Sequence, residues 1–586
     1  MSAVNAGPNP NLLFSETLVA ALAAAGLQAV CIAPGSRSTP LALAFDAHPE
    51  IETFLHLDER CASFFALGLA QASGRPVALV CTSGTAALEF HPAVVEAHMA
   101  GVPLLLLTAD RPPELRHSGA NQTIDQVKMY GDHLLWAVDA PLPEQTPPAV
   151  ALRNLRTLAA RSFAVADGLR KGPVHINIPF RKPLEPPAPY RPRFLSGQGT
   201  SIQHGTIVPT TAQLDEIAAL VSAHEHGWIV CGPWAGLPPS SMVEAVAELS
   251  RRTAYPIFAD PLSGLRFGPH TESAPVVGSY ESFLQHPTDF EPPQVIIRFG
   301  ALPTSKYLND YLQHAAPPYQ IHVRSSGVWA DDSHRLSHFL QVDETAFCLQ
   351  VADQCQRPLD NWAAEVLAAD KRSSRVHADF LRETWFDAAA VAAVVDALPP
   401  GANLFLGNSL PVRHVDQFAR PDHKQLHVYG NRGASGIDGL VSSALGVAAA
   451  DRAAPVVLLI GDISFYHDMN GLLAVRKLRL DNVTIVLLSN NGGGVFRRLP
   501  IAQDNAQFED LFLTPPGLDF APAAAMYGLD FVRIRDDDRA GLAQALCASL
   551  HGGGPAIIEV PTDGARDERL RRKLNKTLID SKENFS

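Results

Sequence analysis

Oxygen-bearing residues directly after two apolar runs near the C-terminus have the types and spacing of a magnesium site. Asp462 lies just after the run 455–460, and Asn490 and Gly492 lie just after the run 483–488. A carboxylate, an amide oxygen and a backbone carbonyl would together offer three hard oxygen ligands. Mg²⁺ takes such ligands in octahedral geometry and keeps other positions for phosphate oxygens and water. Glycine in the second turn would also let the backbone approach a phosphate closely.

A purely structural explanation fits either half of this pattern alone. Asp462 could cap the start of a helix, and an Asn-Gly pair is common in turns. The combination at two neighbouring strand ends favours ligand binding, because ligands of parallel sheets bind at the carboxyl ends of the strands.

Short apolar runs alternate with helical patterns along the whole chain, as in parallel α/β sheets buried on both faces. Near the N-terminus, the pattern predicts a helix with Ser15 as N-cap and Gly26 as its stop, followed by a strand over 29–33. Other predicted strands are 77–81, 104–108, 228–231, 295–299, 320–323, 455–460, 483–488 and 556–560.

Two changes in composition divide the chain into three α/β domains. The Pro-rich stretch 181–205 predicts a linker, and the polar stretch 353–374 predicts a second boundary. The domains are therefore expected at 1–190, 200–355 and 375–586.

The first and third predicted domains also share a sequence pattern. In each, an apolar strand runs into a polar turn, and a second such strand begins about 27 residues later. This similarity suggests two related α/β units on either side of a third.

The charge balance argues against nucleic-acid binding. The 586 residues carry 47 Lys and Arg against 60 Asp and Glu, a net charge of −13, which disfavours nucleic-acid backbone binding. The basic run 566–576 contains leucines at helical spacing and is better explained as a C-terminal helix that docks on the protein through its leucines and is otherwise solvated. A local basic pocket for an anionic small molecule stays open.

Cysteine usage and hydropathy indicate a cytoplasmic protein without a membrane span. The seven cysteines are scattered and form no CxxC pair, so neither a disulfide framework nor a structural zinc site is expected. Residues 1–5 lack the order of a secretory signal, and the longest apolar stretch, 18–33, is too short to cross a bilayer.

The metal pattern resembles that of thiamine-diphosphate enzymes, usually Gly-Asp-Gly on one strand end and Asn-Asn on the next. Here Ile463 stands in place of the last glycine, as is familiar in one branch, the 2-succinyl-5-enolpyruvyl-6-hydroxy-3-cyclohexene-1-carboxylate synthases. Blocks similar to that branch lie at 33–40, 56–60, 82–85, 108–115, 119–122, 175–180, 407–410 and 431–439.

The resemblance implies a fold and a cofactor site. The fold would be a three-domain thiamine-diphosphate fold, with a pyrimidine-binding domain at 1–190, a central domain at 200–355 and a diphosphate-binding domain at 375–586. Asp462, Asn490 and Gly492 would bind Mg²⁺, with Mn²⁺ as an alternative. The cofactor would be surrounded by Thr82, Ser409, Gly433, Asn490, Phe496 and Ile437, the last being the apolar wedge that holds it bent.

Glu59 matches the glutamate that activates the cofactor in this family. Such a carboxyl group acts beside the aminopyrimidine ring and needs a largely apolar setting with a tuned protonation state. Without the resemblance, Glu59 in the run Asp58-Glu59-Arg60 would be typical of a solvated helix start.

The implied reaction is decarboxylation of 2-oxoglutarate and addition of the succinyl carbanion equivalent to isochorismate, in menaquinone or phylloquinone biosynthesis. Dicarboxylate substrates favour Arg, whose planar group pairs bidentately with a carboxylate. The resemblance places Ser36, Arg37, Arg111, Gln122, Lys306, Arg413 and Arg432 in the substrate pocket. Tyr307 follows Lys306 where some relatives have Arg, and surface ion pairs are the ordinary explanation for any one of these arginines.

In this fold the two ends of one cofactor are held by different chains, so the family implies at least a dimer with shared active sites, either a dimer or a tetramer. Two alternatives stay open. One is another thiamine-dependent 2-oxoacid decarboxylase or carboligase, and the other is a catalytically silent binding protein on the same fold. Glu59, Asp462 and Asn490, all present, argue against the second.

Overall fold

Three six-stranded parallel sheets form the framework of the protein across the residues that the computed structural model describes. These residues are 9–186, 190–194, 197, 199–285, 290–357, 361–503 and 506–583. Helices connect the strands and flank each sheet, so the predicted α/β class with parallel sheets is confirmed.

The first sheet contains β1 (Ala29–Ile32), β2 (Glu52–Leu55), β3 (Val77–Cys81), β4 (Leu104–Asp110), β5 (Trp136–Asp139) and β6 (Pro173–Pro179). Its helices are α1 (Pro10–Ala25), α2 (Thr39–Asp46), α3 (Glu59–Ser73), α4 (Thr85–Leu88), α5 (His91–Ala100) and α6 (Ala149–Ala166). The strand order is β2-β1-β3-β4-β6-β5.

The second sheet contains β7 (Gly227–Cys231), β8 (Ile257–Ala259), β9 (Val276–Val277), β10 (Val295–Phe299), β11 (Tyr319–Val323) and β12 (His338–Leu340). Its helices are α7 (Thr211–Ala223), α8 (Ser240–Thr253), α9 (Tyr280–Phe283), α10 (Lys306–Ala315), α11 (Glu344–Asp353) and α12 (Asn361–Glu383). The order β12-β11-β10-β7-β8-β9 is that of a doubly wound sheet.

The third sheet contains β13 (Asn403–Leu406), β14 (His427–Tyr429), β15 (Val456–Gly461), β16 (Val483–Ser489), β17 (Asp530–Arg533) and β18 (Ala556–Pro561). The helices of this part of the chain are α13 (Asp387–Ala397), α14 (Leu410–Phe418), α15 (Leu440–Ala450), α16 (Asp462–His467), α17 (Leu473–Leu478), α18 (Ala521–Tyr527), α19 (Arg539–Leu550) and α20 (Gly564–Glu583). The order β14-β13-β15-β16-β18-β17 repeats that of the first sheet.

The chain divides into two compact units. The first contains the described residues up to Gly205 together with Asn431–Asp451 and Asp468–Leu480, and the second contains Thr206–Gly430, Arg452–His467 and the described residues from Asp481 onward. In the first unit, α3 packs along α15. In the second, Leu574 and Leu578 of α20 are buried in the hydrophobic core of the third sheet, which confirms a docked C-terminal helix.

Most element predictions near the ligand-binding edges are confirmed to within one or two residues. Ser15 as N-cap is wrong, because α1 begins at Pro10 with Asn9 as its cap and Ser15 is buried within the helix. Gly26 ends α1, as predicted, and adopts a left-handed conformation.

The predicted linker contains no regular secondary structure where it is described, whereas the predicted second boundary is mostly helical. The described part of 181–205 contains no helix or strand, and its Pro187 and Pro189 lie outside the described residues. Most of 353–374 belongs to α11 and α12, with 358–360 outside the described residues. The domain limits 190, 200, 355 and 375 stay a prediction.

Membrane-spanning potential is low throughout the described ranges, where every helix is too short or too polar to cross a bilayer. The N-terminal residues 1–8, on which the expected lack of a secretory signal rests, lie outside the described residues.

Candidate active site

The predicted site residues fall into two groups, each at the carboxyl edge of one sheet. The first unit contains residues that follow β1, β2, β3 and β4, four adjacent strands, together with the loop 431–439. The second unit contains residues that follow β13, β15 and β16, also adjacent strands, together with Lys306. The carboxyl edge is where parallel sheets bind ligands.

Glu59 is the first residue of α3, directly after the carboxyl end of β2. The side chain of Asp58 caps this helix, with Oδ1 accepting the Cys61 backbone N–H at 3.1 Å. Burial raises the pKa of the Glu59 carboxyl, and the charges of Asp58 and Glu89 raise this pKa further. A carboxyl that retains its proton more readily than usual can donate a hydrogen bond to a basic ring nitrogen.

A buried aspartate connects the residues that flank Glu59. Asp468 is fully buried, its Oδ1 lies 3.7 Å from the Arg60 guanidinium, and it accepts from the Cys61 thiol at 3.6 Å. Its Oδ2 accepts the Ser442 backbone N–H at 2.7 Å. The start of α3, and Glu59 with it, is therefore fixed by charge and hydrogen bonds.

Asp468→Asn should remove a pH dependence of stability. Burial raises the pKa of Asp468 from its ordinary 3.8 to about 6. Between these values the folded protein holds a proton that the unfolded chain releases, so this residue's contribution to stability falls as pH rises. We expect wild type to lose about 2 kcal/mol relative to the variant between pH 4 and 7.

Urea unfolding of both proteins across this pH range measures that difference. Arg75→Gln, at an exposed position of the same unit, is the control and should show the wild-type pH dependence. A difference between wild type and Asp468→Asn that stays constant with pH would contradict the assignment.

Two arginines of the first unit lie close together at the ends of β1 and β4. Arg37 is buried and donates to the Phe180 carbonyl at 2.7 Å. Arg111 donates to Ser83 Oγ at 2.6 Å and to the Asn121 carbonyl at 3.0 Å. Burial and the charge of Arg111 lower the pKa of Arg37. Within the described ranges neither guanidinium has an ion-pair partner, so this cationic pair suits an anionic ligand.

The other predicted polar residues of this unit surround the same strand ends. Gln122 donates to the Ser83 carbonyl at 2.9 Å and so shares Ser83 with Arg111. Thr82 is buried at the end of β3, and Ser36 is exposed in the turn after β1. The structure thus brings Ser36, Arg37, Thr82, Arg111 and Gln122 to the edge that also carries Glu59.

The loop 431–439 carries three predicted site residues, Arg432, Gly433 and Ile437. The loop starts at buried Asn431, which donates to Ser443 Oγ at 3.0 Å. Arg432, Gly433 and Ile437 are half-buried. The Gly433 N–H donates a hydrogen bond of 2.6 Å to Oε1 of Glu96, a residue of the same unit.

In the second unit, Asp462 and Gly492 are in direct contact. Asp462 is buried at the start of α16, where its Oδ1 accepts the Ile463 N–H at 2.8 Å and its Oδ2 accepts the Gly492 N–H at 3.0 Å. Gly492 has φ = +143°, and a side chain there would clash with the Leu513 carbonyl at 2.4 Å. Only glycine fits this turn.

The side-chain oxygen of Asn490 shows whether this turn suits a bound cation. Its Oδ1 is buried and, within the described residues, accepts no hydrogen bond. An orphaned buried acceptor beside a buried carboxylate is costly unless a ligand satisfies it. The described residues hold no group of three or more His, Cys, Asp or Glu that could bind a metal, but this set combines a carboxylate, an amide and a carbonyl, as Mg²⁺ accepts.

Ser409 and Phe496 flank this turn on neighbouring elements of the second unit. Ser409 follows β13 with φ = +72° and ψ = −121°, a conformation that costs a non-glycine residue about 1–3 kcal/mol and is typical of functional sites. Its carbonyl accepts from Arg413 at 2.6 Å. Phe496 is half-buried in the 3₁₀ helix Gly494–Arg498 and contacts the Phe512 ring edge-on at 5.9 Å.

Lys306 differs in its surroundings from the other predicted cations. It starts α10, its side chain is 76% exposed, and it forms an ion pair with Asp310. The N–H of the next residue, Tyr307, donates to Glu281 at 3.3 Å, and the charge of Arg413 acts on this same Glu281. Lys306 therefore lies on an element whose start is near Arg413.

Comparisons with known proteins agree with this geometry. Residues 13–129 match the model "Thiamine pyrophosphate enzyme, N-terminal TPP binding domain", residues 202–406 the "Middle domain of thiamine pyrophosphate" and residues 412–560 the C-terminal TPP binding domain. The crystal structure of benzoylformate decarboxylase from Polynucleobacter necessarius covers 94% of this chain and 98% of its own, with a TM-score of 0.67 at 17% identity. That likeness shows the fold.

Curated relatives extend over nearly the full chain. The 2-succinyl-5-enolpyruvyl-6-hydroxy-3-cyclohexene-1-carboxylate (SEPHCHC) synthase of Roseiflexus castenholzii is 53% identical over 96% of this chain and 98% of its own length. The SEPHCHC synthase of Haloarcula marismortui is 42% identical over 98% of this chain and 99% of its own. The chain belongs to the SEPHCHC synthase family. The predicted resemblance and the three-domain thiamine-diphosphate fold are thereby confirmed.

Three residues of this SEPHCHC synthase family member were missed by the sequence analysis. Ser83 joins Arg111 to Gln122, Asp468 fixes the start of α3, and Glu96 binds the loop 431–439. Ser83 lies in a block already singled out, and Glu96 is the one acidic residue of α5, a signal that could have been noticed. Asp468 follows no pattern that distinguishes it from a surface residue.

Proposed function

We propose that this chain, with thiamine diphosphate and Mg²⁺ bound, decarboxylates 2-oxoglutarate and transfers the remaining succinyl unit to isochorismate. The product would be SEPHCHC, released with CO₂. The observation that carries the proposal is the identity of about half of all residues, over nearly the whole length, to relatives named SEPHCHC synthase. The cationic pair Arg37 and Arg111 supports it, because both substrates are dicarboxylates.

The residues of the second unit support a metal and diphosphate site. Asp462, Asn490 and the Gly492 carbonyl would hold Mg²⁺ or Mn²⁺, since they offer one buried charge and neutral oxygens. Ser409 and Phe496 would border the cofactor. Arg413, near Glu281 and hydrogen-bonded to the Ser409 carbonyl, would bind a substrate carboxylate, as would Lys306. Arg432, in the first unit, has the same proposed role there.

The residues of the first unit support acid–base and orienting roles. When bound, thiamine diphosphate supplies an electron sink that stabilises negative charge at the former carbonyl carbon. Glu59 would hold its proton against the aminopyrimidine ring, and its raised pKa suits that role. Thr82, Gly433 and Ile437 would position the cofactor, with Ser36 and Gln122 hydrogen-bonding to substrate.

The same proposal includes an assembly and a location. We infer at least a dimer, in which the Glu59 group of one chain and the Asp462 group of another complete a shared site. A monomer mass by light scattering for a fully active enzyme would contradict this. All seven cysteines are unpaired, which is in keeping with a cytoplasmic enzyme.

Product identification tests the proposed function. The purified protein is mixed with thiamine diphosphate, Mg²⁺, 2-oxoglutarate and isochorismate, and the products are analysed by mass. We expect SEPHCHC to appear only when both substrates are present. Release of CO₂ from 2-oxoglutarate without any isochorismate-derived product would instead indicate a different thiamine-dependent decarboxylase or carboligase.

A further inference from the structure

Glu96 binds three consecutive backbone amides of the loop 431–439. Its Oε1 accepts the Gly433 N–H at 2.6 Å, and its Oε2 accepts the N–H groups of Ala434 at 2.6 Å and Ser435 at 3.2 Å. Successive amides that converge in this way form an anion-binding nest. Here the nest is filled by a carboxylate of the protein itself, so these amides are not free to bind a phosphate.

The environment of Glu96 makes this contact strong. Its side chain is 3% exposed, on α5, so the carboxylate is removed from water and depends on the three amides for solvation. The positive charge of Arg432 also acts on Glu96. Hydrogen bonds to a buried charged group are worth more than neutral ones, and leaving such a group unsatisfied is expensive.

The backbones of α5 and the loop also fit closely. A Cβ atom at Gly433 would lie 2.6 Å from the Glu96 carbonyl oxygen and 2.7 Å from the Ala100 nitrogen. Any larger residue at position 433 would push the loop away from α5 and lengthen the hydrogen bonds to Glu96.

Separate contacts hold the two ends of the loop. At one end, Asn431 donates to Ser443 Oγ and accepts from Gln71 at 3.4 Å. At the other end, Gly439, the residue before α15, packs against the Phe64 ring of α3. Loss of the Glu96 contact would therefore release the middle of the loop, 433–435, and leave both ends in place. Arg432 and Ile437 lie on either side of this middle part and would move with it.

We propose that Glu96 is a positioning residue that sets the backbone of the loop 431–439 so that Arg432 and Ile437 reach substrate and cofactor. The inference rests on the proposed function for its kinetic consequence. It assigns to Glu96 an effect on the reaction without any contact with the reacting atoms.

Glu96→Gln tests this inference, because the amide keeps one acceptor but turns an N–H₂ group toward the backbone N–H groups. We expect hydrogen–deuterium exchange in the peptide spanning 431–439 to rise about tenfold. The Kd of thiamine diphosphate with Mg²⁺, measured by calorimetry, should rise about tenfold. Since small displacements in an active site are costly, kcat/KM for isochorismate should fall about 100-fold.

Two further proteins make the result decisive. Glu50→Gln, at an exposed carboxylate of the same unit, is the matched control and should behave as wild type in all three measurements. Gly433→Ala approaches the same contact from the loop and should reproduce the exchange and kinetic changes of Glu96→Gln.

Unchanged exchange at 431–439 would overturn the contact, and faster exchange with kcat/KM within twofold of wild type would overturn the positioning role. Faster exchange throughout the first unit would show a general structural role instead, and this outcome also overturns the proposal. Exchange and cofactor affinity are measured without substrate. They therefore decide the inference even if wild type forms no isochorismate-derived product, a result that would reject the proposed function alone.

Discussion

Glu59→Gln should lower kcat by about 100- to 10,000-fold, the range that positioned acid–base groups contribute. Glutamine has nearly the same shape and keeps the start of α3 intact, because the cap by Asp58 and the contacts of Arg60 and Cys61 with Asp468 do not involve Glu59. Glutamine lacks the ionisable proton of the Glu59 carboxyl. We therefore expect the loss in kcat while the Kd of thiamine diphosphate with Mg²⁺ changes by less than about threefold, since acid–base function and binding are separable.

Steady-state kinetics with both substrates and calorimetric titration of the cofactor make this comparison. Glu52→Gln, an exposed glutamate on β2, is the matched control and should keep wild-type kcat. A Glu59→Gln protein as active as wild type would remove the proposed role of Glu59. A variant that no longer binds the cofactor would assign Glu59 to binding and equally contradict the proposal.

Much of the fold follows from the local sequence, because buried parallel strands are continuous apolar runs. β3 and β10 were predicted with their observed ends, and β15 and β16 within one residue, since polar residues or glycine follow each apolar run. The sequence pattern shared by the first and third domains corresponds to an identical strand order. The doubly wound order of the second sheet was not predicted, because hydropathy does not specify which strands are neighbours.

Helix starts were harder to predict than strand ends. Ser15 has the residue type of an N-cap, yet tertiary packing places it inside α1, and Asn9 accepts the Asn11 N–H instead. Capping depends on which polar residue lies where the helix leaves the core. The sequence around a helix start does not show where the helix leaves the core, because the rest of the fold decides this.

The candidate site could be predicted where its residues occupy turns after strands. Asp462 and Gly492 were chosen from adjacent apolar runs, and the 3.0 Å hydrogen bond between them shows that the runs are neighbours. Glu96 acts on residues more than three hundred positions away, and Asp468 acts on Cys61 across a similar separation. Partners so distant in sequence are set by topology, so a single sequence gives no local signal for them.

Overall charge is a similarly incomplete guide to ligands. The chain has a net charge of −13, yet Arg37 and Arg111 lie together at the ends of β1 and β4, where the negative charge of Asp110 offsets only part of the repulsion on Arg37. Each lowers the free energy of binding an anion and raises the cost of the other's charge. A dicarboxylate substrate would relieve the repulsion between the two arginines. The net charge of the chain does not reveal such a local cationic pair.

Asp462→Asn should raise the Kd of thiamine diphosphate in the presence of Mg²⁺ by about 100-fold, or about 2.7 kcal/mol. The change removes the charge of the predicted metal site and leaves neutral oxygens, which bind Mg²⁺ weakly. The asparagine oxygen can still accept the N–H of Ile463 or Gly492, so the turn should be retained. Calorimetric titration at several Mg²⁺ concentrations measures the effect, and high Mg²⁺ should restore part of the affinity by mass action.

The stability of the metal-free protein separates loss of metal binding from loss of structure. Burial raises the pKa of Asp462, which means that its charge is costly in the absence of a cation. Removing that charge should leave the unfolding temperature of the metal-free variant equal to or above that of metal-free wild type. Added Mg²⁺ and cofactor should raise the unfolding temperature of wild type by more than that of the variant. Asp481→Asn, an exposed aspartate just before β16, should match wild type in both respects. Undiminished Mg²⁺-dependent cofactor binding in Asp462→Asn would place the metal on other residues, because no neutral side chain can replace a carboxylate as a magnesium ligand without cost.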